Sequence, residues 1–256
     1  MRYYVVADTH SFYNELIMSL SEKGFFTDTE PHKLIVCGDL FDRGDQSEEL
    51  QNFIVDLMAK DQVILIRGNH EDLMLELLKN ASYYFNQGIE CFHHWSNGTV
   101  QTLYDLTRIS FYQNSYQTVV NKMRETPYIK TIIPSMKDYY ETEHYVFVHG
   151  WIPSIEIRNC GFKYLPINEW RTAGAEKWEK ARWINGMDAW SQGVKVEGKT
   201  VICGHYHTSW GHSRLEGVGE EFGKTADFNP FYGDGIIAID GCTSLTRKVN
   251  CLVIDD

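Results

Sequence analysis

No two of the six cysteines in this 256-residue chain are spaced as CxxC. That spacing excludes a zinc knuckle and gives no support to a disulfide framework. Cys37, Cys203 and Cys251 sit inside apolar runs, as small buried hydrophobes do. The expectation is reduced thiols in a cytoplasmic protein. No apolar run approaches the length of a membrane span, and the run at residues 1–6 is too short for a signal-peptide core. No membrane partner is expected. Basic residues are scarce, with 24 Lys plus Arg against 35 Asp plus Glu and a formal charge of -11. Such a surface repels polynucleotide phosphates and argues against a nucleic acid polymer as partner. Small phosphorylated ligands stay open wherever a local cation draws them in. There is no internal repeat, no low-complexity tract and no clear interdomain linker. The length suits one large α/β domain, or at most two small ones.

What is present is a rhythm. Residues 3–7 are apolar and end at Asp8-Thr9-His10. Phe12, Leu16, Ile17 and Leu20 then recur at helical spacing over 11–22, and Gly24 follows. A second apolar run, 33–37, ends at Gly38-Asp39. The spacing of Leu50, Phe53, Ile54, Leu57 and Met58 predicts a helix over 47–59. A third strand, 62–66, ends at Arg67-Gly68-Asn69-His70-Glu71, before a helix over 72–85. Strand, helix, strand, helix, strand is the pattern of a mostly parallel sheet. Residues 88–143 break it. They are aromatic and polar, with helices expected over 99–107 and 116–125, and they read as a helical cap insertion within a single domain spanning 1–256. A hairpin is expected over 137–142 and 145–148, ending at His149-Gly150. The stretch 151–199 reads as irregular and carries Trp170, Trp178, Trp183 and Trp190. A strand over 200–203 ends at Gly204-His205-Tyr206-His207, and two closing strands are expected over 235–240 and 250–254.

Five of these runs end in side chains that bind metals: Asp8 and His10; Asp39; Asn69; His149; His205 and His207. In an open α/β sheet the carboxyl ends of the strands share one edge, and ligands bind there. Residues far apart in sequence therefore converge. The set mixes carboxylates, imidazoles and one amide oxygen, with no thiolate, which suits manganese, iron or zinc better than calcium. There are too many ligands for one ion and about enough for two, with Asp39 as the natural bridge. The run 33–37 also delivers Asp42 and Arg43. Two acids and a guanidinium at the end of a buried strand are costly unless something charged sits among them.

In this order, Asp8-x-His10, Gly38-Asp39-x-x-Asp42-Arg43-Gly44, Gly68-Asn69-His70-Glu71, His149-Gly150 and Gly204-His205-x-His207 resemble the calcineurin-like metallophosphoesterase signature. The long forms GDxxDRG and GNHE look like its phosphoprotein-phosphatase branch. That branch includes bacterial and phage serine/threonine phosphatases and symmetrical diadenosine tetraphosphate hydrolases. Ile239-Asp240-Gly241-Cys242 with Leu245-Thr246 is similar to the closing strand of the branch. The resemblance implies a four-layer α-β-β-α sandwich of two mixed β-sheets flanked by helices. It implies two divalent metal ions, Mn2+ first, with Fe or Zn as alternatives. Asp8, His10 and Asp39 would hold one, completed by His207; Asp39, Asn69, His149 and His205 would hold the other. Arg43 and Asn69 would bind the substrate phosphate, His70 would protonate the leaving group, and Asp42 would orient His70. Arg182 is the candidate for a second phosphate-binding arginine, with Arg171 and Arg158 as alternatives. Two divalent ions, two carboxylates and a hydroxide leave about +1, and Arg43 adds another charge, which suits a phosphate dianion. Ser11 and Trp151 stand where the phosphatases usually carry glycine, and His205-Tyr206-His207 stands where they have a lone histidine. These departures bear on substrate and branch, not on metal chemistry.

The implied activity is metal-dependent hydrolysis of phosphate esters, as in a serine/threonine protein phosphatase acting on a phosphorylated protein or a small phosphoester. The alternative is a symmetrical dinucleoside tetraphosphate hydrolase or another nucleotide phosphodiesterase. A metal-bound scaffold without turnover is disfavoured, because His70 and every ligand position are filled. Other groups read as structural: Arg67 pairs with an acid beneath the site, and Glu71 stands behind the ligands rather than among them. His93, His94 and His212 have no partner spacing. The tryptophans read as packing, although an aromatic segment at the mouth can stack a nucleobase.

Overall fold

The computed structural model describes residues 1–87, 92–110, 113–158 and 162–256. Gly88, where the insertion is expected to begin, and Cys91 and Cys160 lie outside the described residues. Along the chain come β1 (Arg2–Val6), α1 (Tyr13–Glu22), β2 (His32–Cys37), α2 (Ser47–Ala59), β3 (Val63–Ile66) and α3 (Asn69–Gln87). Then follow α4 (Phe92–Asn97), α5 (Thr99–Thr107), α6 (Tyr116–Arg124), α7 (Ile133–Ser135), β4 (Tyr140–Glu141) and β5 (Tyr145–Phe147). A hairpin, β6 (Ser154–Arg158) and β7 (Phe162–Pro166), precedes α8 (Ala175–Ala181), α9 (Gly186–Ser191) and β8 (Thr200–Cys203). The chain closes with α10 (Thr208–Gly211), β9 (Phe231–Gly233), β10 (Ile236–Ala238), α11 (Thr243–Thr246) and β11 (Leu252–Asp255).

Two mixed sheets form. The first has the order β11-β1-β2-β3, with β1, β2 and β3 parallel and β11 antiparallel on the edge. The second has the order β4-β5-β8-β10-β9, with a parallel centre and antiparallel edges. Alternation along the strands sets what each face buries. Tyr3, Val5, Ala7, Ile35, Cys37 and Ile66 point from the first sheet onto Phe147, Ile202 and Ile239 of the second. Tyr4, Val6, Leu34, Val36 and Leu65 point the other way, onto Leu16, Leu20, Leu50, Ile54, Met74 and Leu77 of the helices. The outer face of the second sheet packs Val146, Val201 and Ala238 against Trp178, Ala181, Met187 and Ala189. Helices, sheet, sheet and helices make the expected four layers. Strands buried on both faces read as continuous apolar runs, which is why they stand out in the sequence.

Helices α5 and α6 belong to the outer layer of the first sheet, where Val100, Leu103, Val119, Val120 and Met123 join the core with Met74 and Leu77 of α3. The β6–β7 hairpin falls in the stretch read as irregular. Ile155 and Phe162 are exposed on it, so its alternation carries no burial signal. No helix among the described residues is long and apolar enough to cross a membrane.

Candidate active site

The carboxyl ends of β1, β2, β3, β5 and β8 deliver Asp8, Asp39, Asn69, His149 and His205. The backbone turns sharply as each strand ends. Asp8, His10, Ser11, Asp39, Asp42, Arg43 and His205 have φ of 52°, 49°, 60°, 52°, 76°, 63° and 66°. The left-handed region is unfavourable for side-chain-bearing residues and persists where the surroundings impose it. Here two strained loops hold each other: Asp8 N donates to Gly38 O, His10 N to Asp39 O, Ser11 N to Leu40 O and Gly44 N to His10 O. Glu71 holds the second loop from behind. Its carboxylate accepts from the backbone N–H groups of Asp39, Leu40 and Gly68 at 3.2, 3.1 and 2.7 Å. Burial, and then Asp39, push the Glu71 carboxyl up to about 7.

Asp39 is at the centre. Two groups of ligand atoms, each within 4.8 Å of one another, share it: His10, Asp39 and His70, and Asp39, His149 and His205. His149 Nδ1 lies 2.8 Å from Cys37 O, so its proton goes to that carbonyl. The lone pair on His149 Nε2 then faces Asn69 Oδ1 at 2.8 Å and Asp39 Oδ1 at 3.3 Å. His10 Nδ1 likewise donates to Phe41 O, at 3.0 Å, which makes its Nε2 an acceptor, 3.9 Å from Asp39 Oδ2. Three electron-pair donors that converge without a proton between them fit a cation. Burial, and next His149, lower the His205 pKa to about 3; burial also lowers His149 and His10. Neutral imidazole is the form that binds metal. Asp8 Oδ2 accepts from His205 N at 2.9 Å, and burial with Asp240 and Asp39 pushes its carboxyl well above the usual range.

His70 stands apart from this set by its partners. Its Nδ1 donates to Asp42 Oδ2 at 2.7 Å, and its Nε2 lies 3.8 Å from Asp39 Oδ2. Burial alone would lower His70, but Asp39 and Asp42 outweigh it and raise its pKa. The exposed Arg43 reaches between the rings, with Nη1 3.1 Å from His10 Nε2 and Nη2 3.2 Å from His70 Nε2. Asp42 in turn is held by Thr99 and Thr102 of α5.

Two expected site residues have partners outside the cluster. His207 is one. The expectation assumed an extended segment, in which alternate side chains share a side. His205 instead takes a left-handed turn, and His207 begins α10. Its ring stacks on Tyr206, and its Nε2 lies 3.2 Å from Glu221 Oε1. Arg182 is buried, with Nη1 on Asp72 at 2.8 Å and Nη2 on Asp138 at 2.5 Å, so both arms are already committed. Arg171 pairs with Glu141, and the side chain of Arg158 lies outside the described residues. Arg67 pairs with Asp72, the structural role expected of it. His94 is buried on Glu76, and His212 bonds Glu216 and Asn229. Asp240 belongs to the motif that resembles a closing strand. It is buried, and burial pushes its carboxyl up to about 6. Its signal is that of Asp8 and Asp39: an apolar run that ends in an acid.

Beside His205 opens a groove of about 310 Å³, lined by Phe162, Tyr164, Trp183 and Tyr206 among others. Trp183 is 47% exposed, and its ring meets that of His205 edge-on, with centroids 5.9 Å apart.

The calcineurin-like phosphoesterase family profile matches residues 1–234. The chain belongs to this family. The family is one of metal-dependent phosphoric ester hydrolases. Over 96 residues it is 29% identical to the asymmetrical bis(5'-nucleosyl)-tetraphosphatase PrpE of Bacillus velezensis, which covers 35% of this chain and 39% of that protein. The Bacillus subtilis protein of the same description is 28% identical over the same length. The matched stretch thus spans about two fifths of these curated relatives. In fold, the chain is similar to a protein described as a candidate diadenosine tetraphosphatase, with TM-score 0.50 and 14% identity, covering 99% of this chain and 89% of that one. It is also similar to a point-mutant form of a cold-active protein tyrosine phosphatase, with TM-score 0.51 and 16% identity, covering 100% and 75%.

Proposed function

We propose that this metallophosphoesterase hydrolyses phosphate esters at a dinuclear centre bridged by Asp39. The observation that carries the reading is the convergence on Asp39 of the His149 lone pair and the Asn69 amide oxygen, with His205 beside them and no proton to share among Asp39, Asn69 and His149. Asp8, His10 and Asp39 would hold one divalent ion, and Asp39, Asn69, His149 and His205 the other. Such ions supply an activated water and charge stabilisation for an in-line displacement. Mn2+ is the first choice for both, with Fe or Zn as alternatives. The free cysteines Cys37, Cys203 and Cys251 are buried, which fits a reducing cytoplasm.

The chain's own residues do the rest. Arg43, exposed between His10 and His70, binds the phosphate oxygens through its planar fork. With the Arg43 donor drawn off His70 Nε2 and onto the phosphate, His70 donates its Nε2 proton to the departing oxygen, while Asp42 keeps the Nδ1 proton in place and favours the charged ring. A poor leaving group needs that proton. This favours an alkyl phosphomonoester, as in a phosphoserine or phosphothreonine substrate. His70→Asn should slow phosphoserine-type substrates by about 10²–10⁴-fold. It should slow p-nitrophenyl phosphate far less and leave metal content unchanged. Equal losses on both substrates would overturn the assignment and place His70 on the phosphate instead.

The aromatic groove favours a second substrate, a dinucleoside polyphosphate. Trp183 offers a half-exposed face next to His205, and stacking on an aromatic is worth about 1–3 kcal/mol per base. Trp183→Ala should raise KM for a dinucleotide about 5–150-fold on that magnitude while leaving KM for p-nitrophenyl phosphate alone. An equal change for both, or none, would remove this reading.

A further inference from the structure

We infer that Thr99 and Thr102, at the start of α5, are positioning residues for His70: they fix the Asp42 carboxylate, and through it the imidazole. The inference rests on the reading of His70 as the proton donor. Each oxygen of Asp42 has an assigned partner. Thr102 Oγ1 donates to Asp42 Oδ1 at 2.7 Å, and Thr99 Oγ1 donates to Oδ2 at 2.9 Å. His70 Nδ1 donates to the same Oδ2 at 2.7 Å. The backbone N–H of Asp42 donates back to Thr102 Oγ1 at 3.0 Å. The Thr102 hydroxyl is therefore fixed as donor to the side chain and acceptor from the backbone of one residue. Thr99 and Thr102 are three apart, so they share one face of the helix. Both are buried, as are Asp42 and His70.

A carboxylate free to rotate would present either oxygen to the imidazole. Here the hydroxyls lock its plane, and the only oxygen left within reach of Nδ1 is Oδ2. The helix itself is seated on the loop it serves. Gly98 precedes Thr99 with φ of 88°, and a Cβ there would fall 2.2 Å from Arg43 N. The turn into α5 thus lies directly on the Asp42–Arg43 peptide. Val100 and Leu103 anchor the same helix in the core. Residues 92–107, which interrupt the strand–helix rhythm, act on the chemistry through these two hydroxyls. Neither threonine touches the reacting atoms.

The test uses Thr102→Val, Thr99→Val, the double variant and Thr102→Ser. Turnover of phosphoserine should fall about 10–100-fold in the double variant, the usual loss when a supporting partner is removed. Turnover of p-nitrophenyl phosphate should fall far less, with metal content unchanged. Thr102→Ser keeps the hydroxyl and should restore most of the phosphoserine activity. A merely structural role would depress both substrates together, and would leave Thr102→Ser no different from Thr102→Val in the ratio of the two rates. If His70→Asn shows the leaving-group split and the threonine variants do not, the inference fails alone. If His70→Asn shows no split, the proton-donor reading fails and takes the inference with it.

Discussion

Replacing Glu71 with glutamine should weaken the centre without touching any atom that meets a cation or substrate. The Glu71 carboxylate caps three backbone donors: Oε2 takes Gly68 N at 2.7 Å and Asp39 N at 3.2 Å, and Oε1 takes Leu40 N at 3.1 Å. A glutamine carbonyl placed at the Oε2 position keeps two of these bonds. Its NH2 group then faces the Leu40 N–H, donor against donor. One orphaned buried donor costs about 1–3 kcal/mol. Loss of the buried charge next to Asp39 offsets part of that, so a net loss of about 1–2 kcal/mol is expected. For a chain of this size that lowers Tm by about 2–8 °C. The loop that carries Asp39 also loses a tether, and metal affinity should drop about 10–100-fold. Differential scanning calorimetry of metal-free protein reads the first effect, and a metal titration reads the second. Glu71→Ala orphans all three donors and should not fold stably. If Glu71→Gln melts with the wild type and binds metal as tightly, then Glu71 does not hold the loop as argued.

Asp39→Asn should lose metal from both halves of the centre and abolish turnover; two ions still bound by elemental analysis, with normal rate, would refute the bridge. A chelator should abolish wild-type turnover, and Mn2+ should restore it. Gly68→Ala would place a Cβ 2.1 Å from Asp39 Oδ1 and 2.4 Å from Asp39 N; overpacking of about 1–3 kcal/mol, seen as a lower Tm with loss of activity, is expected, and an unchanged Tm would count against the close approach. At the far edge of the first sheet, the Tyr4 hydroxyl, the Glu30 N–H and Arg2 hold Asp28 down to about 2. A depressed carboxylate lends stability above its ordinary value near 3.8 and loses it as pH falls through about 2. Asp28→Asn should therefore flatten the acid limb of the stability profile between those values, and an unchanged limb would show that the pairing contributes nothing.

Much of this was legible in the sequence because parallel strands buried on both faces are apolar throughout, and each ends abruptly in a polar side chain. Asp8, Asp39, Asn69, His149 and His205 were found by that rule, and the structure brings them to one rim. Asp240 obeys the same rule, at the end of the apolar run 236–239. Spacing cannot reveal the left-handed turn at His205, after which His207 meets Glu221. Nor does the sequence around Arg182 show the acids that reach it from elsewhere, Asp72 of α3 and Asp138. Thr99 and Thr102 had no signature at all. Two threonines three apart at the start of a helix are common surface chemistry, and only the fold shows that their hydroxyls meet Asp42, 57 and 60 residues away.

The backbone explains why these residue types, and not merely these charges, stand at the strand ends. Asp8, His10, Asp39, Asp42 and His205 all hold positive φ. Among residues with a side chain, aspartate, asparagine and histidine enter the left-handed region several times more readily than most. They are also the oxygen and nitrogen donors of hard and borderline metals. One choice thus meets two demands, a sharp turn off the end of a strand and a donor atom aimed into the rim. Arg43 and Ser11 lack that preference and hold positive φ all the same. For these two the strain, of order 1–3 kcal/mol each, is carried by the loop contacts: Gly98 pressed on the Arg43 peptide, and Ser11 bonded to Leu40 O and to the Ser47 hydroxyl. The geometry of the centre is therefore a property of the interlocked loops and the two sheets beneath them, and a cation would enter a rim whose turns are already made.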